Sequence, residues 1–191
     1  MIVRAGADAD ASAAARLHAT AITEGFLSSL GPRFLTRLYR RMVRDPGSFL
    51  LVAEEDGAVI GHAAATENVS HLYRQFLVRD GLVAGIAAAP RLLSQFRSVL
   101  ETLRYPSGTD ELPSAELLAV AVESAHQGRG VGRALVTAVR EELLRRDVHG
   151  ARVVVAATNG PALRLYTSSG FRPSASIEVH ARTPSQVLTW S

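Results

Sequence analysis

The chain has no cysteine and no lysine. Without cysteine, disulfides, thiolate zinc sites and a cysteine nucleophile are excluded. Without lysine, a Gly-Lys-Ser/Thr phosphate loop is excluded as well. All 21 basic residues are therefore arginine, which explains a sequence pI near 9.9 despite a net charge of only +3. No basic run is dense enough to suggest nucleic acid. Nor is any stretch as long as the ~18 apolar residues that span a bilayer. The most apolar one, Gly81 to Pro90, is bracketed by Arg79, Asp80 and Arg91. The opening MIVRAGADAD lacks the apolar region of a secretory signal. The expectation is a cytoplasmic protein with neither a nucleic-acid nor a membrane partner.

What is present reads as one α/β domain over 1–191. Ile2 to Arg4 suits an edge strand. Asp8 or Asp10 can cap a helix through Ala13, Leu17 and Ala21, which Gly25-Phe26-Leu27 interrupts. Gly31-Pro32 opens a second helix with Phe34, Leu35, Leu38, Tyr39 and Met42 on its apolar face. Two strands flank the turn signal Glu55-Asp56-Gly57, predicting a hairpin. Residues 70–113 read as a helical insert, far longer than the ~4–6 residues of an ordinary connection. It is expected to form a lid or wall over a binding site, or else to extend the core or build a homodimer surface.

The informative stretch is Leu117 to Phe171. An apolar strand, Glu116 to Val122, runs into Gln127-Gly128-Arg129-Gly130-Val131-Gly132. There a helix begins, striped with Val131, Leu135, Val139 and Leu143. A second apolar strand, Ala151 to Ala157, leads to a short helix opened by Gly160-Pro161 and closed near Gly170. Glycines ahead of a helix start make an anion site, because the first helical amides have no internal partner and the helix dipole favours negative charge. A dinucleotide fingerprint fails: Arg133 stands where its third glycine belongs, and no acidic residue closes the next strand.

The pattern Q/R-x-x-G-x-G/A is met by Gln127 to Gly132, followed by Asn159, Ala162, Tyr166 and Gly170-Phe171. With the element order around it, the sequence resembles the GNAT superfamily of acyl-CoA-dependent N-acyltransferases over essentially its whole length. The resemblance implies a mixed, largely antiparallel central sheet flanked by helices, with the helical insert placed before the central strand. It also implies acetyl-CoA as co-substrate and no metal. The pyrophosphate would sit on the amides of Gly128, Arg129, Gly130, Val131, Gly132 and Arg133, next to Gln127. Main-chain groups of Val120, Ala121 and Val122 would pair with the pantetheine arm. Asn159 would contact the cofactor, and the Tyr166 hydroxyl would protonate the departing thiolate.

Some relatives carry a glutamate base on the strand before the asparagine, but here that strand is Val153-Val154-Val155. The base is therefore sought in Glu116 or Glu67, with Glu123 as a solvated alternative. His62 reads as a satisfied, partly buried histidine. The acceptor is expected against Glu24, Phe26, Leu27, Glu67 and His71. The function implied is N-acetylation of a small-molecule amine. The alternatives are acetylation of a protein N-terminus or lysine, and an acyl-CoA-binding module without turnover.

Overall fold

The computed structural model describes residues 1–22, 31–79, 112–179 and 183–191. Among them lie seven strands: β1 (Ile2–Ala5), β2 (Ser48–Glu55), β3 (Ala58–Thr66), β4 (Glu116–Val122), β5 (Ala151–Ala156), β6 (Arg172–Val179) and β7 (Thr183–Trp190). Five helices accompany them: α1 (Ala11–Ala21), α2 (Gly31–Arg44), α3 (Val69–Arg79), α4 (Val131–Arg145) and α5 (Gly160–Ser168). The strands form one sheet in the order β1-β2-β3-β4-β5-β7-β6. Every pairing is antiparallel except β4 with β5. This is the mixed, largely antiparallel sheet flanked by helices that the sequence led us to expect. Of the helical insert at 70–113, α3 carries the first part, and 80–111 lies outside the described residues.

Alternation along β2 sorts its side chains into two cores. Phe49, Leu51 and Ala53 face the layer of α4 and α5, where Leu135, Val139, Leu143, Tyr166 and Phe171 pack. Leu50 and Val52 face the layer of α1 and α2, where Ala14, Ala15, Leu35, Leu38 and Met42 pack. The β2–β3 turn follows the local chemistry: Asp56 and Gly57 both take positive φ, at 52° and 77°. That is the requirement of a two-residue hairpin whose twist matches its strands.

Two expectations about α1 are corrected. Neither aspartate caps it. The Asp10 carboxylate accepts from the Ala7 amide at 2.8 Å and from Arg4 at 2.7 Å, and Asp8 pairs with Arg44. A charged guanidinium outbids a single helical amide for the carboxylate. The buried face is Ala11, Ala14, Ala15 and His18, one position round from Ala13, Leu17 and Ala21. In an alanine-rich helix each face offers similar apolar area, so the polar contact of His18 fixes the rotation. His18 Nδ1 lies 2.5 Å from the Tyr39 hydroxyl, and His62 Nε2 lies 3.1 Å from the same oxygen. His62 is fully buried rather than partly so, and its Nδ1 has no partner among the described residues.

Candidate active site

The site begins where β4 and β5 part. Their parallel register consists of a single pair, Glu116 with Arg152. Beyond it β4 runs on to Val122 with one edge on β3 and the other open towards β5. The backbone groups along that edge lack a sheet partner among the described residues and suit an extended ligand arm. The β3 side adds a bulge. Ala64 pairs with Ala119 and Ala65 with Leu117, which leaves Leu118 as an extra residue on β4. Such an insertion bends the strand and re-aims the residues after it. Leu117 and Val120 accordingly face the same core although they are three apart. Nothing in the apolar run from Leu117 to Val122 signals this bulge.

β4 leads through a 3-10 turn, Ser124–His126, into the glycines. Gly128 and Gly130 take φ of +76° and +86°, and a Cβ at either would meet nothing within 4 Å. Both glycines are thus required by conformation, and the space above them is open. Gly130 is the residue before α4, and the first α4 amide with a helical acceptor is Ala134, bonded to Gly130 O at 3.0 Å. The amides of Val131, Gly132 and Arg133 therefore remain for an anion. Gly132 has a different reason to be glycine. A Cβ there would lie 3.3 Å from Leu165, so its absence lets α4 approach α5.

Side chains around the turn are already engaged. The Gln127 amide donates to Val122 O at 3.0 Å, fastening the turn to the end of β4. Arg129 reaches Glu55 at 3.5 Å, across from the hairpin. His126 stands 3.4 Å from Glu55 and 2.9 Å from Glu123, the latter without hydrogen-bond geometry. The part played by Glu55 could not be read from sequence, because it lies 74 residues before Arg129.

Asn159 and Tyr166 bracket α5. Asn159 is its N-cap, and its side-chain oxygen accepts from the Ala162 amide at 3.1 Å. Tyr166 sits at the other end, inside a Schellman motif. The Phe171 amide donates to Tyr166 O at 3.0 Å and the Gly170 amide to Thr167 O at 3.2 Å. Gly170 supplies the left-handed φ of +92° that this ending needs. The Phe171 ring then meets the Tyr166 ring edge-on at 5.8 Å, closing the apolar contact typical of the motif. The Y-x-x-x-G-F spelling is thus a helix ending that fixes where the tyrosine points. Burial pushes the phenol up, so it stays protonated near neutral pH. Its hydroxyl has no hydrogen-bond partner among the described residues.

The two candidate bases occupy the far end of β4. Glu116 is buried at the apex of the β4–β5 opening, 2.8 Å from Arg152 Nε. Burial pushes its carboxyl above the usual range, and Arg152 pulls the other way. Arg152, which carries no signal of a site role in the sequence, also donates to Pro113 O at 3.1 Å. Glu67 accepts from Arg146 at 3.1 Å beyond the end of β3, at the C-terminal end of α4 rather than at the glycine turn. His71 lies in the first turn of α3, where its amide donates to the Asn68 side chain at 2.9 Å and its ring meets Gln75. Glu24, Phe26 and Leu27 lie outside the described residues.

The sequence matches the acetyltransferase (GNAT) family profile over residues 16–171. A mycothiol acetyltransferase from Acidothermus cellulolyticus is 33% identical over 172 residues, covering 88% of this chain and 43% of the relative. A second, from Brachybacterium faecium, is 42% identical over 69 residues, 36% of this chain and 20% of the relative. The chain thus spans less than half the length of the curated relatives it matches. Two solved structures share the fold. The ribosomal-protein-alanine N-acetyltransferase from Brucella melitensis superposes with a TM-score of 0.67 at 20% identity, over 99% of this chain and 98% of that one. An acetyltransferase from Salmonella typhimurium, solved with its cofactor acetyl-CoA, gives 0.63 at 18% identity, over 100% and 92%. With the opened strand pair, the glycine cradle and the family profile in agreement, the chain belongs to the GNAT family of acetyltransferases.

Proposed function

We propose that the protein moves an acetyl group from acetyl-CoA to a primary amine of a small molecule, by direct transfer in a ternary complex. The observation that carries this reading is the parting of β4 and β5 above Glu116 and Arg152, with the glycine cradle at its open end. The cradle amides from Gly128 to Arg133 and the open edge of β4 at Val120, Ala121 and Val122 suit the phosphates and the arm of acetyl-CoA. Bound there, acetyl-CoA supplies an activated thioester that needs no enzyme nucleophile. The absence of cysteine is then no obstacle.

The chain's own groups divide the remaining work. Backbone amides orient the donor and favour charge on its acyl oxygen. Tyr166 holds its proton until charge develops on the departing sulfur. Glu116, whose burial raises its basicity, takes the proton that the amine loses, directly or through water. Asn159 adds a contact to the donor beyond its capping role. The acceptor is a small amine in this reading because the curated relatives are named mycothiol acetyltransferases. It would lie against the end of β3 and the start of α3. In the same reading the chain is a single cytoplasmic domain.

Free-thiol release from acetyl-CoA, measured with a panel of small amines and peptides, tests this directly. At least one small amine should release thiol. Tyr166→Phe should slow turnover about a hundredfold and leave acetyl-CoA affinity, read by calorimetry, unaltered. Binding of acetyl-CoA without thiol release from any acceptor would sink the enzymatic reading. Release with peptides alone would move the acceptor to protein termini or lysines.

A further inference from the structure

Arg140 stands in the middle of α4, away from the glycine turn, and makes three contacts that meet at one place. Its guanidinium lies 4.6 Å over the Trp190 ring of β7. Its Nη1 donates to the Ser169 carbonyl at 2.8 Å. A Cβ on Gly170 would lie 3.1 Å from the same Nη1, so glycine there serves both the left-handed φ and the room for the guanidinium. Ser169 is the last residue before the left-handed turn, and Tyr166 is three positions earlier on the same helical turn. Arg140 Nε and Ser169 Oγ are both buried and have no partner among the described residues.

We propose that Arg140 is a positioning residue for Tyr166: it ties the C-terminal end of α5 to α4 and β7 and so sets where the phenol points. This rests on the acid role given to Tyr166 above. The Schellman motif alone fixes Tyr166 relative to its own helix. It does not fix the helix relative to the sheet that carries the acyl-CoA arm. α5 is short; Leu165 stands 3.3 Å from where a Cβ of Gly132 would lie, and Tyr166 is buried in the core beside it. A tether at its last carbonyl removes the remaining freedom to swing. Lysine would not replace it, since only a planar guanidinium can stack on an indole and reach a carbonyl with its edge at once. Small displacements of a reacting group are costly: about 1 Å can cost a hundredfold in rate.

The test is a double-mutant cycle in steady-state kinetics, with thermal melting as a folding control. Arg140→Gln should lower kcat about tenfold or more and hold acetyl-CoA affinity within about twofold, because the glycine turn is untouched. Combined with Tyr166→Phe it should cost little beyond Tyr166→Phe alone, since a group without its hydroxyl no longer needs aiming. If the two losses multiply, or if Arg140→Gln leaves kcat unaltered, the proposal is wrong. Should Arg140→Gln fail to fold, Arg140→Lys takes its place, with a smaller loss of the same kind expected. A second readout does not depend on the acid role. In protein labelled with 3-fluorotyrosine, the Tyr166 fluorine resonance, assigned by its absence in Tyr166→Phe, should shift or broaden in Arg140→Gln. If Tyr166→Phe alone leaves turnover intact, the acid role fails. The tether is then judged on that resonance: a shift sustains it and an unmoved line overturns it.

Discussion

The pair of buried histidines should make the protein sensitive to mild acid, by an amount the structure allows to be worked out. His18 and His62 share the Tyr39 hydroxyl, and both are buried. Around them the layer is apolar: Ala14 and Ala15 from α1, Leu35 and Leu38 from α2, Val52 from β2 and Ala64 from β3. Ala121 of β4, across from His62, adds no charge. Burial lowers the His18 imidazole to about 4, and burial together with the neighbouring His18 lowers His62 to about 3.

Both folded values lie below the unfolded one of about 6.5. Between them the unfolded chain binds more protons, so stability is complete above pH 6.5 and falls as the pH drops towards 4 and then 3. At pH 5 the unfolded imidazoles have gained about 1.5 pK units of protonation that the folded ones lack. That is about 2 kcal/mol each, or about 4 kcal/mol for the pair, against a typical total of about 5–15 kcal/mol. Urea unfolding at pH 7 and pH 5 measures the difference. Carboxylates held low by arginine, such as Asp10 beside Arg4, contribute in the same direction. The decisive comparison is therefore with His18→Gln/His62→Gln, whose pH difference should shrink by about 4 kcal/mol. A double variant that keeps the wild-type pH slope would refute the reasoning, as would a nitrogen NMR titration placing either ring near 6.5 in the folded protein.

Two further substitutions probe the cradle and the helix beside it. Gly130→Ala places a side chain at a φ of +86° with nothing to collide with, so its cost is conformational, about 1–2 kcal/mol. Melting should fall modestly while acetyl-CoA affinity, read by calorimetry, falls more than about tenfold; equal affinity would remove the anion role from the turn. Asn159→Ala deletes the cap of α5 and should cost about 1 kcal/mol. In a chain of this length that lowers the melting temperature by about 2–4 °C. Asn159→Asp keeps the capping oxygen and should restore melting while losing any amide contact to the donor. If Asn159→Ala weakens acetyl-CoA binding with no change in melting, the cap is not what the residue is for.

The glycine turn and the start of α4 were legible because they are written in backbone. Glycines at Gly128 and Gly130 announce a conformation and a helix start announces unpaired amides, so spacing alone locates both. The Y-x-x-x-G-F run was legible for the same reason, because it spells a helix ending. The succession of elements and the β2–β3 hairpin followed from strand patterning and a clear turn, whereas the order of strands across the sheet did not. What stayed hidden depends on pairs of residues far apart in sequence. Glu116 reads as an isolated carboxylate until Arg152, 36 residues on, is folded against it. His18, Tyr39 and His62 look like a helix residue, a core aromatic and a strand residue until three elements bring them together. The rotation of α1 is not legible, because alanines carry too little contrast to reveal a face. The bulge at Leu118 leaves no mark in a run that is apolar on both sides.

The missing lysine gains a structural meaning at these hidden joints. Arg4 bonds to both Asp10 and Glu54, and so binds β1 to β2 and to the turn ahead of α1. Arg146 lies over Phe49 while donating to Glu142, Glu67 and Pro46 O. Arg152 joins Glu116 to Pro113 at the foot of the β4–β5 opening, and Arg140 joins α5 to Trp190. Each of these uses several edges of one planar cation, a geometry that an ammonium on a flexible stem does not reproduce. A cation set made wholly of arginine therefore serves as a set of fixed brackets between elements. Those at Arg152 and Arg140 stand at the two ends of the proposed reaction path, one beside the candidate base and the other behind the candidate acid. The parts of the site that sequence spacing cannot announce are the parts these brackets hold.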